Sequence, residues 1–197
     1  MPRPVAVAIT GGLGAGKSEA LASFARHGSA VRSSDEVVHR LLREDDEIKR
    51  RLRERFGEHV FDRAGHHVDR RKLASVVFGD ADALVWLERL LHPRVAADNH
   101  AWREGMERAP NPPALCVTEV PLLYETGGEE RFDAVVVITA PPDLREQRGR
   151  RPDDERERRL LSDSEKAGRA DFSYVNDGSL EELDAFVLAV IANLTPL

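Results

Sequence analysis

The chain has 197 residues, 41% of them hydrophobic and 32% charged, with a formal net charge of −6. That length sustains one domain with a full core and room for an inserted subdomain, and the acidic balance excludes a protein that coats nucleic acid with a broad basic face. The single cysteine, Cys116, excludes an intrachain disulfide and suits a reducing, cytoplasmic setting, while no stretch approaches the ~18 consecutive apolar residues of a membrane helix.

Val5 to Thr10 is an apolar run short enough for a buried strand. Gly11-Gly12-Leu13-Gly14-Ala15-Gly16-Lys17-Ser18 follows, with the spacing G-x-x-x-x-G-K-S. Leu21, Phe24 and Ala25 then fall at helical spacing. Strand, glycine loop and helix together make a phosphate cradle: successive backbone N–H groups turn inward, and the helix N-terminus adds its positive end. Gly12, Gly14, Ala15, Gly16, Lys17, Ser18 and Glu19 form the ATP-binding stretch. Lys17 is expected to reach the β- and γ-phosphates, and the Ser18 hydroxyl to ligate Mg²⁺. The motif specifies a nucleoside triphosphate but not the group that receives the phosphate.

His27-Gly28 stops the first helix. Ser29 to Arg32 reads as a short strand ending at Ser33-Ser34-Asp35, with Ser34 or Asp35 capping a helix that carries Val37, Val38, Leu41 and Leu42 on one face. Asp35 therefore follows a strand end, the edge at which open α/β sheets bind ligands. It is the candidate general base that takes the proton of an acceptor hydroxyl; the plain alternative is a helix cap. From residue 44 to 108 the chain reads as helical and highly charged. Ile48, Leu52 and Phe56 space as one face, a turn-rich stretch covers 62–68, and a further helix runs from Asp69 to Phe78. Leu84, Leu87, Leu90 and Leu91 form an apolar face that is expected to end at His92-Pro93, with a separate helix from Arg94 to Arg108. So long a helical block between strands reads as an insertion.

Ala109 to Pro113 breaks the chain. Leu115 to Val120 and Ala134 to Thr139 are strands whose continuous apolar runs suit a sheet covered on both faces. Glu119, at the end of the first of them, stands where an acidic residue near Mg²⁺ belongs. Residues 143–164 are rich in arginine and acid. The bland reading is a solvated helix; the sharper one is a lid that brings Arg148 and Arg151 onto the transferring phosphates. Phe172 to Val175 is a last strand, and Ser179 with Glu182 forms a capping box for a helix whose stripe is Leu183, Phe186, Val187, Val190, Ile191 and Leu194. The histidines form no metal set, and no N-K-x-D signature of a guanine-nucleotide switch is present.

Nearly end to end, the chain resembles the dephospho-CoA kinase family. The resemblance is carried by Ile9 to Ser18; by Phe56-Gly57, Asp69-Arg70, Leu73 and Val77-Phe78; by Leu87-Glu88 with Leu91-His92-Pro93; by Val120-Pro121-Leu122-Leu123-Tyr124-Glu125, which is similar to P-L-L-x-E; and by Lys166, Ala170-Asp171 and Asn176-Asp177-Gly178-Ser179. It implies transfer of the ATP γ-phosphate to the ribose 3′-hydroxyl of dephospho-CoA by a cytoplasmic enzyme, expected to be a monomer, acting on small molecules with ATP and Mg²⁺. It also implies an α/β fold: a three-layer P-loop core with a parallel five-stranded sheet (residues 1–35, 114–142 and 170–197), an inserted helical acceptor-binding region (about 36–113) and a small lid (about 143–169). By family role, Asp35, Arg70, His92, Pro121, Leu122 and Glu125 surround the acceptor, and Asn176 lies near the adenine of ATP. Two other readings compete: a P-loop kinase for a nucleoside or nucleoside monophosphate, and a nucleotide-binding regulatory protein weakened in catalysis. Three departures bear on them. Ser33-Ser34-Asp35 replaces D-A-D, Glu19 replaces a common threonine, and Gln147 to Pro152 fits the lid pattern loosely.

Overall fold

The computed structural model describes residues 3–148 and 160–195. Five strands, β1 (Val5–Thr10), β2 (Ala30–Ser33), β3 (Leu115–Glu119), β4 (Ala134–Thr139) and β5 (Phe172–Val175), form one sheet in the order β2-β3-β1-β4-β5. Every pairing is parallel. The β1 strand lies at the centre, with Val7 opposite both Val117 and Ala134.

Side chains alternate between the two faces of a strand, and here both faces are covered. Val7, Ile9, Leu115, Val117, Val136 and Ile138 share one buried cluster with Phe24, Leu183, Val187 and Val190. The last four come from α1 (Lys17–Arg26) and α8 (Leu180–Leu194), which pack on that side. Ala8, Val135 and Val137 face the other way, against Leu123, Tyr124, Leu161, Ala167 and Ala170; Ala167 belongs to α7 (Asp163–Arg169). The α/β three-layer architecture with a parallel five-stranded sheet is thus the observed one. Burial of both faces explains why β1, β3 and β4 read as unbroken apolar runs.

The chain divides into two compact units. One is built from the chain up to residue 34 together with that from residue 101 onward; the other is residues 35–100. The second unit has its own core, in which Val37, Leu41 and Leu42 from α2 (Ser34–Glu44), Ile48 and Leu52 from α3 (Asp46–Phe56), and Leu73 and Val77 from α4 (Arg70–Val77) join Leu87, Leu90 and Leu91. Phe56 meets Trp86 edge to face at 5.3 Å. Asp45 and Asp69 cap α3 and α4 by accepting from backbone N–H groups in the first turn.

One expectation fails here. Instead of a break at His92-Pro93, a single helix, α5, runs Ala81–Glu107 with Pro93 inside it. Proline removes one helical hydrogen bond and crowds the preceding turn. Leu87, Leu90 and Leu91 before it and Val95 after it belong to one cluster, which holds both halves to a common face. Arg94 Nη1 also donates to the Leu90 carbonyl at 2.9 Å. Apolar packing on both sides of Pro93 outweighs its local preference. The helix cap expected at Ser34 or Asp35 also shifts: α2 starts at Ser34, so Asp35 lies within its first turn. No described helix is long and apolar enough to cross a membrane.

Candidate active site

The loop between β1 and α1 takes its shape from glycine. Gly11 has φ 144° and Gly16 φ 98°, in the region that side chains other than hydrogen disfavour. A methyl group on Gly11 would collide with the Ile138 carbonyl of β4, and one on Gly16 with the Asn176 amide. The neighbouring strand and the β5–α8 turn are therefore pressed against the loop. Ala15 is fully buried, and Asn176 Nδ2 donates to the Ala15 carbonyl at 2.9 Å. Asn176 is itself buried, and its backbone N–H donates to Thr139 O at 2.7 Å. The residue expected near adenine thus braces the loop from below.

Lys17, the first residue of α1, donates from Nζ to the Gly12 carbonyl at 2.9 Å. Ser18 and Glu19 follow on the exposed side of the first turn. Glu119 ends β3, largely buried, in register with Ile9 and Ser33. Ser18 and Glu119 supply hard oxygen donors, the ligand chemistry that Mg²⁺ prefers. Among the described residues there is no group of three or more His, Cys, Asp or Glu that could hold a metal; a P-loop does not need one, because the substrate's phosphates supply the remaining ligands.

Arginines approach from the segment after β4. Arg148 donates to Gly14 O and Asn176 O, each at 3.5 Å, the outer limit of a hydrogen bond. Arg151 lies outside the described residues. Arg145, which the sequence did not single out, comes closer: its guanidinium lies against Gly12. It belongs to α6 (Pro142–Gln147), which starts directly off β4, the strand beside β1. Strand order was the missing signal.

The P-L-L-x-E stretch turns the chain after β3. Pro121 O accepts from Thr10 Oγ1 at 3.4 Å, and Leu122 O from Thr126 Oγ1 at 2.8 Å. Glu125 Oε1 lies 2.9 Å from Lys166 Nζ and accepts from Leu161 N at 3.0 Å. Lys166 is fully buried, so the pair fastens α7 to the turn after β3. Arg169 is paired with Glu129 and lies 4.3 Å from the centre of the Tyr124 ring.

Within the second unit, Asp35 is exposed in the first turn of α2, and Arg70 is exposed as the first residue of α4. Both act on His39: burial and then the Arg70 charge push the imidazole below its ordinary value, while Asp35 and Glu36 oppose them. His92 is half-buried in α5.

A family model for dephospho-CoA kinase matches residues 5–182. The chain belongs to the dephospho-CoA kinase family. A dephospho-CoA kinase from Mesorhizobium japonicum is 38% identical over 96% of this chain and 96% of its own. One from Protochlamydia amoebophila is 33% identical over 90% of each. A crystal structure from Thermus thermophilus superposes with a TM-score of 0.78 at 34% identity, covering 98% of this chain and 100% of that one. Family membership makes the protein a kinase, with ATP as the implied co-substrate, and it favours the first of the three readings over the nucleoside kinase and the regulatory protein. It also gives the kinase a reason for its braced loop: phosphoryl transfer is catalysed chiefly by positioning and charge, so the loop backbone must be held in place.

Proposed function

We propose that this kinase transfers the γ-phosphoryl group of ATP to the ribose 3′-hydroxyl of dephospho-CoA, giving CoA and ADP. The observation that carries the reading is the P-loop, with Lys17 at its end and Asn176 bracing it, in a chain whose family match spans residues 5–182.

The loop N–H groups from Gly12 to Ser18 hold the phosphates, and Lys17 offsets the charge that builds on the transferring group. The Lys17 ammonium already lies at the loop, on Gly12 O, so a short movement brings it to an incoming oxyanion. Ser18 and Glu119 are the residues that would hold Mg²⁺, which when bound neutralises phosphate charge. Asp35 receives the proton of the acceptor hydroxyl. Its exposed position in the first turn of α2 leaves the carboxylate open to solvent and substrate. By family role, Arg70, His92, Pro121, Leu122 and Glu125 are the proposed acceptor residues. Glu125 acts through its hold on Lys166 and Leu161, and Arg148 and Arg151 through charge on the phosphates. Glu19, exposed on α1, leaves phosphate binding undisturbed.

Purified protein with ATP and Mg²⁺ is expected to convert dephospho-CoA to CoA while leaving nucleosides and nucleoside monophosphates unphosphorylated. Preference for one of those acceptors would refute the substrate assignment. Asp35→Asn is expected to bind ATP as before and to lose transfer; normal turnover would remove Asp35 from the base role.

A further inference from the structure

Helix α7 reaches the glycine loop directly. A methyl group on Gly12 would meet the Asp163 carboxylate at 3.1 Å as well as the Arg145 guanidinium. Asp163 is the first residue of α7 and is paired with Arg145. A negative charge therefore stands beside the stretch whose N–H groups cradle phosphate. Repulsion between a carboxylate and phosphate oxygens rises as their separation falls, so the placement of α7 matters to the loop.

That placement is set from the other side of the helix by charge. Leu161 N donates to Glu125 Oε1 at 3.0 Å just before α7 begins. Lys166 Nζ lies 2.9 Å from the same carboxylate oxygen. Arg169, the last residue of α7, is paired with Glu129. The apolar contacts of the segment are small: Leu161, Ala167 and Ala170 against a cluster that includes Leu123, Tyr124 and Val135. Asp163 and Lys166 are three positions apart on one helix, so a displacement at Lys166 is carried to Asp163.

From this geometry we infer that Glu125 and Lys166 are positioning residues for ATP: their pair fixes α7 so that Asp163 stays on Arg145 and off the phosphates of the bound nucleotide. Net stability does not account for the pair, because apolar side chains of the same volume would serve as well or better. The pair supplies one arrangement, since a fully buried ammonium must stay with its carboxylate. Glu125, an acceptor residue by family role, then serves the nucleotide side of the site. The inference rests on the reading of the loop as a nucleotide site.

The test is calorimetric titration of the intact protein with ATP and Mg²⁺, with steady-state kinetics alongside. Lys166→Met/Glu125→Gln removes both charges, keeps the volume and is expected to fold near wild-type stability. It is expected to bind ATP about threefold to tenfold more weakly, with the KM for dephospho-CoA within about twofold of wild type. A merely structural pair would move neither value once the protein is folded. An Asp163→Asn background removes the charge that the pair keeps in place. There the same two substitutions are expected to lose most of their effect on ATP, as coupled residues do. Unchanged ATP affinity in the double variant overturns the inference, and so does an equal loss in both backgrounds. A raised dephospho-CoA KM with unchanged ATP affinity also overturns it and returns Glu125 to the acceptor. If the double variant does not fold, Glu125→Asp decides, because it keeps both charges and shortens the pair by one methylene. It is expected to weaken ATP by about threefold, and unchanged affinity there overturns the inference. The calorimetric comparison needs no acceptor, so failure of dephospho-CoA as a substrate refutes the substrate assignment alone. Failure of the wild-type protein to bind ATP refutes the loop's nucleotide role, and the inference with it.

Discussion

Lys166→Met isolates the buried pair that fastens α7 to the turn after β3. The Lys166 side chain is 0% exposed and Glu125 13%, and the charged atoms are 2.9 Å apart. Their contact is close but poorly aligned for a hydrogen bond, and Lys166 Nζ and Glu125 Oε2 have no other hydrogen-bond partner among the described residues. At an effective dielectric constant of about 20 the attraction at this separation is roughly 6 kcal/mol before desolvation is counted. Desolvation of two ions consumes most of it, so the intact pair contributes little net stability. Removing one partner is different, because among the described residues Glu125 then remains enclosed with only Leu161 N donating to it. The expected cost is about 3–5 kcal/mol, and for a chain of this size that lowers Tm by about 6–20 °C. The double variant Lys166→Met/Glu125→Gln removes both charges and is expected to recover to within about 1.5 kcal/mol of wild type. Urea unfolding followed by circular dichroism gives both values, with a constant m-value as the check that only stability has changed. A single variant that costs under about 1 kcal/mol, or a double variant worse than the single, would show that Glu125 is solvated and that the pair does not hold α7.

Three further outcomes follow from the same geometry. Lys17→Ala is expected to lower turnover about 100-fold or more, since it removes a charge from the transferring phosphate; a loss below tenfold in a steady-state assay would contradict its role. Gly11→Ala places a methyl group against Ile138 O at φ 144° and is expected to cost about 2 kcal/mol or more in urea unfolding, whereas a neutral result would mean that the loop relaxes freely. Asp184 accepts from Ser23 Oγ at 2.6 Å, Arg26 Nη2 at 2.8 Å and His27 Nε2 at 3.0 Å, and these bonds hold its carboxyl well below the ordinary range. A depressed folded-state pKa means the stabilisation is present above the unfolded value of about 3.9 and is lost as pH falls below it. Asp184→Asn is therefore expected to flatten the acid limb of the stability curve between about pH 4 and 2, and an unchanged limb would assign acid unfolding to other carboxylates.

Local chemistry made much of the protein readable from its sequence. The G-x-x-x-x-G-K-S spacing, the apolar runs of β1, β3 and β4, and the Ser179–Glu182 capping box each depend on residues within a few positions of one another, and each is found where it was read. A sheet covered on both faces followed because a strand buried on both sides must be apolar throughout; that the sheet is parallel and five-stranded came from the family resemblance. What the sequence could not carry were the contacts made across it. Pro93 signals a helix end by every local rule, yet packing of Leu87, Leu90, Leu91 and Val95 on one face keeps α5 continuous. Arg145 was one of seven similar arginines until the order β3-β1-β4 set α6 beside the loop. In the chain, β4 and α6 lie between Glu125 and Lys166, and only the fold makes them a pair. Hydrophobic period and turn chemistry act over a few residues and survive in any one sequence; the direction of a buried charge is set by whichever element packs against it, and that is decided only when the sheet is assembled.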